Sequence, residues 1–206
     1  MNTLNSPSFK ITVITFVIDT CKEINVTGLK SCSIDLETGS VSGCPAVVGA
    51  KRFNNCTQIK FSYLESKNMN AKIFKNGKIH VTGLRNLNHI QYVSDAIVET
   101  ICTSGSGPPC RTQEVPLVPK VSIKMINGNF KMPTKMPLHD LKIKESDSII
   151  SRVYQPCKYH GLILKHILGP TFIVYNTGSV CVVSNDISKI NESMPSLLSF
   201  LRPQGL

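Results

Sequence analysis

One short pattern occurs twice in this sequence, once in each half of the chain. Residues 73–81 read IFKNGKIHV and residues 174–182 read VYNTGSVCV, so each copy places a glycine-containing turn between two apolar runs. Such a pattern predicts two strands joined as a hairpin. In the first copy we predict a two-residue turn at Asn76-Gly77, because this pair tolerates the positive φ that both central positions require.

The segments around the two hairpins follow the same order in each half. Apolar residues at helical spacing come after each hairpin, at residues 88–102 and 186–201. Further predicted strands open each half and precede each hairpin: Lys10–Asp19, Val121–Ile126, Gln58–Tyr63 and Leu162–Ile167. The sequence therefore predicts an internal duplication of a strand–helix–strands–helix unit.

A segment rich in glycine, serine and proline, Thr103–Cys110, separates the two copies. We therefore predict a first repeat at residues 1–103 and a second at 104–206, within one continuous domain. Ser40–Gly49 consists largely of small residues and is predicted to be a loop.

The charge balance limits the class of partner. The 206 residues include 23 Lys and Arg against 13 Asp and Glu, a formal net charge of +10. A positive surplus of this size favours an acidic partner, either nucleic acid or a membrane surface. The longest apolar stretch, around Ile11–Ile18, is too short to span a bilayer, and we expect no membrane partner.

No constellation in the sequence indicates catalysis or a bound metal. The five histidines are scattered, and no two of the eight cysteines have the C-x-x-C spacing of a zinc site. Gly105-Ser106-Gly107-Pro108 is not followed by the Lys-Ser/Thr of a phosphate-binding loop. We predict that the protein is not an enzyme and that it carries no cofactor.

Two sets of residues resemble the repeats of the TATA-box-binding protein (TBP) family. Lys51-Arg52-Phe53 and the motif Ile73-Phe74-x-x-Gly77-Lys78-x-x-Val81-Thr82-Gly83 resemble its first repeat. Tyr154-x-Pro156-x-x-Tyr159-x-Gly161-Leu162-Ile163 resembles the stirrup of its second repeat. The paired order covers roughly residues 10–202, and the recurrence in both halves makes the resemblance specific.

The resemblance implies an α+β fold. Two pseudo-symmetric repeats would form one curved, saddle-shaped antiparallel sheet with the helices on its convex face. The concave face would bind the minor groove of double-stranded DNA, and aromatic side chains would wedge between base steps and bend the duplex. The implied function is that of a transcription initiation factor. Its partners would be a transcription factor B-like protein or the RNA polymerase machinery, in the nucleus or at a viral replication site.

The resemblance also assigns roles to individual residues. The intercalating aromatics would be Phe53, Phe74, Tyr159 and Tyr175. Phosphates would be bound by Arg52, Lys60, Lys78 and Lys165, with Lys60 one position away from the family pattern. The groove face would consist of Thr12, Ile14, Lys72, His80, Thr82, Ile123, Met125, Ile173, Cys181 and Val183. A protein partner would contact Gln155, Cys157 and Lys158.

Some of these positions depart from the family pattern. The family has an asparagine at the centre of each half, where this sequence has Thr12 and Ile123. Gln155 and Cys157 stand where the family has acidic residues that engage transcription factor B. These departures motivate an alternative, a TBP-fold protein-interaction module in a transcription complex with weak or no specific DNA binding. A third reading is an accessory substrate-binding domain of an enzyme. The divergence suits a factor encoded by a large DNA virus or a distant eukaryote.

Overall fold

The computed structural model describes residues 8–21, 23–24, 26, 32–43, 56–103 and 119–202. The chain divides into two compact units. We call Val13–Lys124 the N-unit, and Met1–Thr12 together with Met125–Leu206 the C-unit. The borders of these units differ from the predicted repeat boundary at residues 103 and 104.

Each unit combines antiparallel strands with helices. The first half of the chain contains β1 (Lys10–Asp19), β2 (Cys32–Asp35), β3 (Val41–Gly43), β4 (Cys56–Tyr63), β5 (Ser66–Phe74), β6 (Lys78–Leu84), a 3-10 turn (Leu87–His89) and α1 (Ile90–Thr103). The second half contains β7 (Lys120–Lys131), α2 (Leu138–Ile143), β8 (Ile149–Gln155), β9 (Tyr159–His166), β10 (Thr171–Val174), β11 (Ser179–Ser184) and α3 (Ile187–Leu201).

The strands pair mainly with their neighbours in sequence. In the N-unit the order is β3-β2-β4-β5-β6-β1, and β2 and β4 run parallel while the other pairs are antiparallel. In the C-unit the order is β7-β11-β10-β9-β8, with antiparallel pairing throughout. The predicted α+β class is confirmed.

One face of the C-unit sheet is buried beneath α3. Residues alternate along β7, β9, β10 and β11 between fully buried and half-exposed positions, as a sheet covered on one side requires. The ring of His166 on β9 bonds the hydroxyl of Ser196 on α3 at 2.8 Å, and the Arg152 guanidinium lies 5.8 Å from the Phe200 ring. The buried side chains of α3 include Ile190, Leu197, Phe200 and Leu201.

The N-unit sheet shows the same alternation. Its buried face carries Phe16, Ile18, Ile59, Phe61, Met69, Ala71, Ile73, Ile79 and Val81. On α1 the residues Val93, Ile97 and Ile101 are buried at the helical spacing expected from the sequence. The opposite face of each sheet carries exposed or half-buried side chains among the described residues, such as Lys72, His80, Ile173 and Cys181, and we call it the open face. No helix in the described part of the chain is both long and apolar enough to cross a membrane.

The hairpin turns differ from the predicted two-residue type. Strand pairing stops at Ile73 and Ile79, and the amide of Gly77 donates to the carbonyl of Phe74 at 3.1 Å. Gly77 has a φ of 80°, whereas the φ of Asn76 is not positive. The loop therefore has only one left-handed residue, as in the longer hairpin loops that end on a glycine. The side-chain oxygen of Asn76 accepts the amide of Lys78 at 3.2 Å.

The second hairpin repeats this geometry. Gly178 has a φ of 83°, and its amide donates to the carbonyl of Tyr175 at 3.0 Å. Thr177 takes the place of Asn76, since its hydroxyl accepts the amide of Ser179 at 3.4 Å. The internal duplication thus extends to individual hydrogen bonds.

The ends of β1 and β7 define how the repeats align. The amide of Thr20 donates to the carbonyl of Gly77 at 3.1 Å, and the amide of Met132 donates to that of Gly178 at 2.8 Å. Thr20 and Met132 are therefore counterparts. Counting back along each strand makes Thr15 the counterpart of Asn127.

The repeats differ after their first strand. The C-unit has α2 before its remaining strands, but between β1 and β4 the described residues of the N-unit form the short strands β2 and β3. The predicted strand–helix–strands–helix order holds for the C-unit, whereas in the N-unit residues 27–31 and 44–55, between β1 and β4, lie outside the described part of the chain. Val41–Gly43 is a strand within the predicted loop, and the remainder of that loop beyond residue 43 lies outside the described residues.

Candidate nucleic-acid interface

The open face of the N-unit is polar and basic. Residues paired across β4, β5, β6 and β1 form rows on this face, which we call the N-face. Two rows cross all four strands: Gln58, Lys72, His80 and Val17; and Lys60, Asn70, Thr82 and Thr15. At the hairpin end, Cys56 pairs with Phe74 and Lys78 pairs with Asp19. Lys60, Lys72, Lys78 and His80 are exposed.

The open face of the C-unit is largely apolar. Its rows, which we call the C-face, follow β8, β9, β10, β11 and β7. They are Val153, Ile163, Ile173, Cys181 and Asn129; and Ser151, Lys165, Thr171, Val183 and Asn127. Beyond the end of β10, the Tyr175 amide donates to the carbonyl of Ser179, Ser179 pairs with Lys131, and the Tyr175 ring lies against Gly161. Ile163, Ile173, Cys181 and Val183 are half-buried, so the centre of this face offers a continuous apolar surface to a ligand.

Equivalent positions on the two faces show how far the repeats have diverged. Lys72 corresponds to Ile173, and His80 corresponds to Cys181, because each pair occupies the same place relative to its hairpin. Thr82 likewise corresponds to Val183. The N-face is therefore suited to polar and anionic groups, whereas the C-face is suited to excluding water.

Two of the predicted wedge residues lie side by side on the C-face. The rings of Tyr159 and Tyr175 are 6.2 Å apart between centroids and nearly perpendicular, and their hydroxyls hydrogen-bond at 2.5 Å. Both rings pack over Gly161, where an added Cβ would lie 2.9 Å from Cε1 of Tyr159 and 3.2 Å from Cε1 of Tyr175. The glycine thus leaves room for the pair.

The hydrogen bond between the two phenols also affects their ionisation. The bond from Tyr159, followed by burial, raises the pKa of Tyr175 to about 12. Tyr175 therefore holds its phenol proton more tightly than a free tyrosine does.

The corresponding pair of the N-unit is only half described. Phe74 is half-buried, and its ring centroid lies 5.0 Å from that of His80. The predicted wedge Phe53 and the predicted phosphate ligand Arg52 lie outside the described residues.

The predicted phosphate ligands occupy exposed positions on both faces. Lys60 pairs with Asn70, and Lys165 pairs with Thr171; since Asn70 and Thr171 are themselves counterparts, the two lysines are equivalent. Lys60 is one position away from the family pattern, but within this structure it occupies the same place in its repeat as Lys165 does in the other. Lys78 is exposed beside the hairpin loop of the N-unit.

The groove residues predicted on β1, Thr12 and Ile14, lie on the side of the strand that faces away from the N-face. Ile14 is fully buried and pairs with Leu84, which is also fully buried, so Ile14 does not lie on the open face. Thr12 shares this side of the strand, and its hydroxyl donates to the backbone carbonyl of Asn127 at 3.2 Å. The half-buried Thr15 and the buried Val17, which is 7% exposed, lie on the N-face side of the strand instead. Because side chains alternate along a strand, a shift of one residue reverses every assignment.

Strand pairing places the other predicted groove residues as follows. Lys72, His80 and Thr82 are on the N-face, and Ile173, Cys181 and Val183 are on the C-face. On β7, Ile123 and Met125 are half-buried and share the odd-numbered side of the strand with Asn127 and Asn129.

The predicted partner-binding residues form an exposed turn between β8 and β9. The amide of Lys158 donates to the carbonyl of Gln155 at 2.8 Å, which closes the turn. Gln155, Cys157 and Lys158 are all exposed.

Sequence reasoning missed Asn127, Asn129 and Lys131, which β7 places on the C-face. It also missed Asn70 on the N-face. Strand alternation counted back from the two hairpin glycines would have identified them. Within the described ranges, no group of three or more His, Cys, Asp or Glu residues could hold a metal ion.

A comparison with solved structures identifies the fold. TBP from Methanococcus jannaschii matches this chain with a TM-score of 0.66, and the match covers 95% of this chain and 98% of that one. The chain has a TBP-like fold. The two sequences are 13% identical, and the likeness therefore lies in the structure. No protein-family model and no curated protein matches the sequence.

Proposed function

We propose that this TBP-like chain binds double-stranded DNA in the minor groove, bends it, and acts as a transcription initiation factor. The observation that carries the proposal is the Tyr159–Tyr175 pair, which sits over Gly161 at one end of the apolar C-face. Two flat rings at the margin of an apolar sheet face suit insertion at a base step.

The chemistry of the C-face fits a widened minor groove. Ile163, Ile173 and Val183 can replace water over sugars and base edges, which is favourable because apolar surface leaves water on binding. Bending a short duplex costs on the order of 1–6 kcal/mol, and the extra contact surface offsets that cost.

The basic residues fit the phosphates that border a groove. Lys60 and Lys165 are exposed at equivalent positions of the two repeats, and each can neutralise a phosphate. Lys72 and His80 extend the polar surface of the N-face, where Phe74 would act as the aromatic wedge.

A transcription role also needs a protein partner. The turn Gln155–Lys158 is exposed, and by the resemblance to the TBP family it would engage a transcription factor B-like protein. Gln155 and Cys157 offer an amide and a thiol where the family has carboxylates, so the contact would depend on hydrogen bonding and packing. Such a factor would act in the nucleus or at a viral replication site.

A bending assay tests the proposal. Duplexes labelled at both ends for resonance energy transfer would carry either an A·T-rich or a G·C-rich centre. We expect the transfer efficiency to rise on addition of protein, and we expect added salt to weaken binding steeply. If neither duplex bends at low salt, the proposed function is wrong.

A protein-interaction module is the second candidate, and one surface favours it. Ile150 on β8 and Ile167 after β9 are 56% and 61% exposed. The amide of Ile167 donates to the carbonyl of Ser148 at 2.9 Å, which brings these segments together. Weak binding without bending would favour this candidate.

A further inference from the structure

The side chain of Asn127 presents an unusual feature on the C-face. Its carboxamide oxygen Oδ1 is buried, yet it has no hydrogen-bond donor among the residues that the structure describes. A buried acceptor without a donor costs about 1–3 kcal/mol, so such groups are rare unless a ligand satisfies them.

The neighbours of Asn127 explain why its amide lacks a partner. Val183 stands opposite on β11, and Val182 and Ser184 on either side point to the buried face. Thr12 does bond Asn127, but through the backbone carbonyl, so that bond holds the strand without engaging the amide.

The equivalent position in the other repeat provides a comparison. There Thr15 takes the place of Asn127 and Thr82 takes the place of Val183. The hydroxyls of Thr15 and Thr82 lie 3.3 Å apart and satisfy each other. The N-unit pair is thus self-sufficient, whereas the C-unit pair leaves its amide free for an external group.

The N-face also has an amide oxygen without a donor, that of Asn70. Its row neighbours Lys60 and Thr82 both carry donor groups, and a change of rotamer can supply a partner from within the chain. Val183 offers Asn127 no such donor, and the hydroxyl of Thr12 is already engaged by the backbone carbonyl of Asn127. Asn127 is therefore the position that most requires a ligand.

We propose that the Asn127 carboxamide reads base-pair edges in the minor groove and senses the 2-amino group of guanine. This inference rests on the proposed function. In the minor groove an A·T pair shows only acceptors, while a G·C pair adds the guanine amino donor. A carboxamide supplies one acceptor and two donors, so it responds to that difference. The readout lies away from Thr12 and Ile123, where the family pattern would place an asparagine.

The test uses three duplexes that differ only at the central base pairs, which are G·C, inosine·C or A·T. Inosine lacks the amino group of guanine, so I·C resembles A·T in the minor groove and G·C in the major groove. We expect the affinities for the G·C and I·C duplexes to differ by about five- to tenfold, as for one hydrogen bond. Tighter binding of G·C would assign the contact to Oδ1, and tighter binding of I·C would assign it to Nδ2.

Asn127→Ala should reduce this difference to less than twofold, and Asn191→Ala on the exposed side of α3 should preserve it. Asn127→Thr, which copies the counterpart Thr15, is a second variant in case the alanine variant folds poorly. Melting temperatures would show that the folds are intact. An unchanged G·C to I·C ratio in both Asn127 variants overturns the inference.

The same data separate this inference from the proposed function. A parent protein that bends all three duplexes with equal affinity supports DNA binding but contradicts readout by Asn127. A parent protein that bends none of them contradicts the proposed function itself.

Discussion

The hydroxyl of Tyr159 lies 2.5 Å from that of Tyr175, and the two rings meet edge to face over Gly161. This pair occupies the positions that a wedge would require, and its hydrogen bond limits how the rings can separate. Insertion between base steps would therefore move the two tyrosines as a unit.

The Tyr159–Tyr175 hydrogen bond makes alkaline titration informative. The bond raises the pKa of Tyr175 from 10.0 to about 12, so the folded state holds this proton more tightly than the unfolded state. The contribution to stability is complete below about pH 10 and is lost as the pH rises towards 12. We expect Tyr159→Phe to lower the pKa of Tyr175, measured by ultraviolet absorbance titration. An unchanged titration curve would show that the bond is not the cause.

The absence of a side chain at Gly161 is expected to determine where the Tyr159 and Tyr175 rings lie. Its φ is not in the left-handed region, but an alanine Cβ would lie 2.7 Å from Cγ2 of Ile173 and 2.9 Å from the Tyr159 ring. We expect Gly161→Ala to destabilise the fold by about 1–3 kcal/mol and to reduce bending as the rings shift. Urea unfolding and energy transfer measure the two effects. Tyr159→Phe keeps the ring and should preserve bending.

The Phe74 ring should affect the DNA bend angle more than the Lys78 charge does. Removing its ring in Phe74→Ala should lower affinity for bent duplex by about tenfold, because base–aromatic stacking is worth about 1–3 kcal/mol. Lys78→Ala, on the other side of the same hairpin, should weaken binding but leave the bend angle unchanged. Equal bend angles for Phe74→Ala and the parent would remove the wedge assignment.

Lys60 and Lys165 should contribute equally to phosphate binding, since they occupy equivalent positions. Each alanine variant should reduce the slope of log affinity against log salt by about 0.9, the value for one phosphate contact. The loss should be similar for all duplex sequences. Lys189→Ala on α3 is the matched control and should leave the slope unchanged.

Asp35 is expected to stabilise the N-unit at neutral pH. Hydrogen bonds from the amide of Thr38 and the hydroxyl of Ser62 lower its pKa from 3.8 to about 2. The contribution is present above about pH 4 and is lost as the pH falls towards 2. We expect Asp35→Asn to lower the melting temperature at pH 7 and to have less effect near pH 2. A constant difference between these pH values would contradict the assignment.

The sequence by itself determined the repeated hairpins and the opening strand. Lys10–Asp19 is a strand with the predicted bounds, and α3 (Ile187–Leu201) covers the helical pattern predicted at residues 186–201. These features depend on local patterns of a few residues, which is why they can be read from the chain. The two-residue turn at Asn76-Gly77 failed because the hairpin register depends on the paired strands as well as on the turn.

Only the tertiary structure decided which side chains reach the open faces. Between Ile14 and Thr15 the pairing with β6 shifts past Gly83, whose φ is 114° and whose added Cβ would lie 2.8 Å from the carbonyl oxygen of Asn68. This irregularity separates the buried Ile14 from the open Thr15. The position of Asn127 on the C-face likewise follows from its pairing with Val183. Strand pairing joins residues distant in sequence, and a side-chain period of two makes the face of each residue depend on that register.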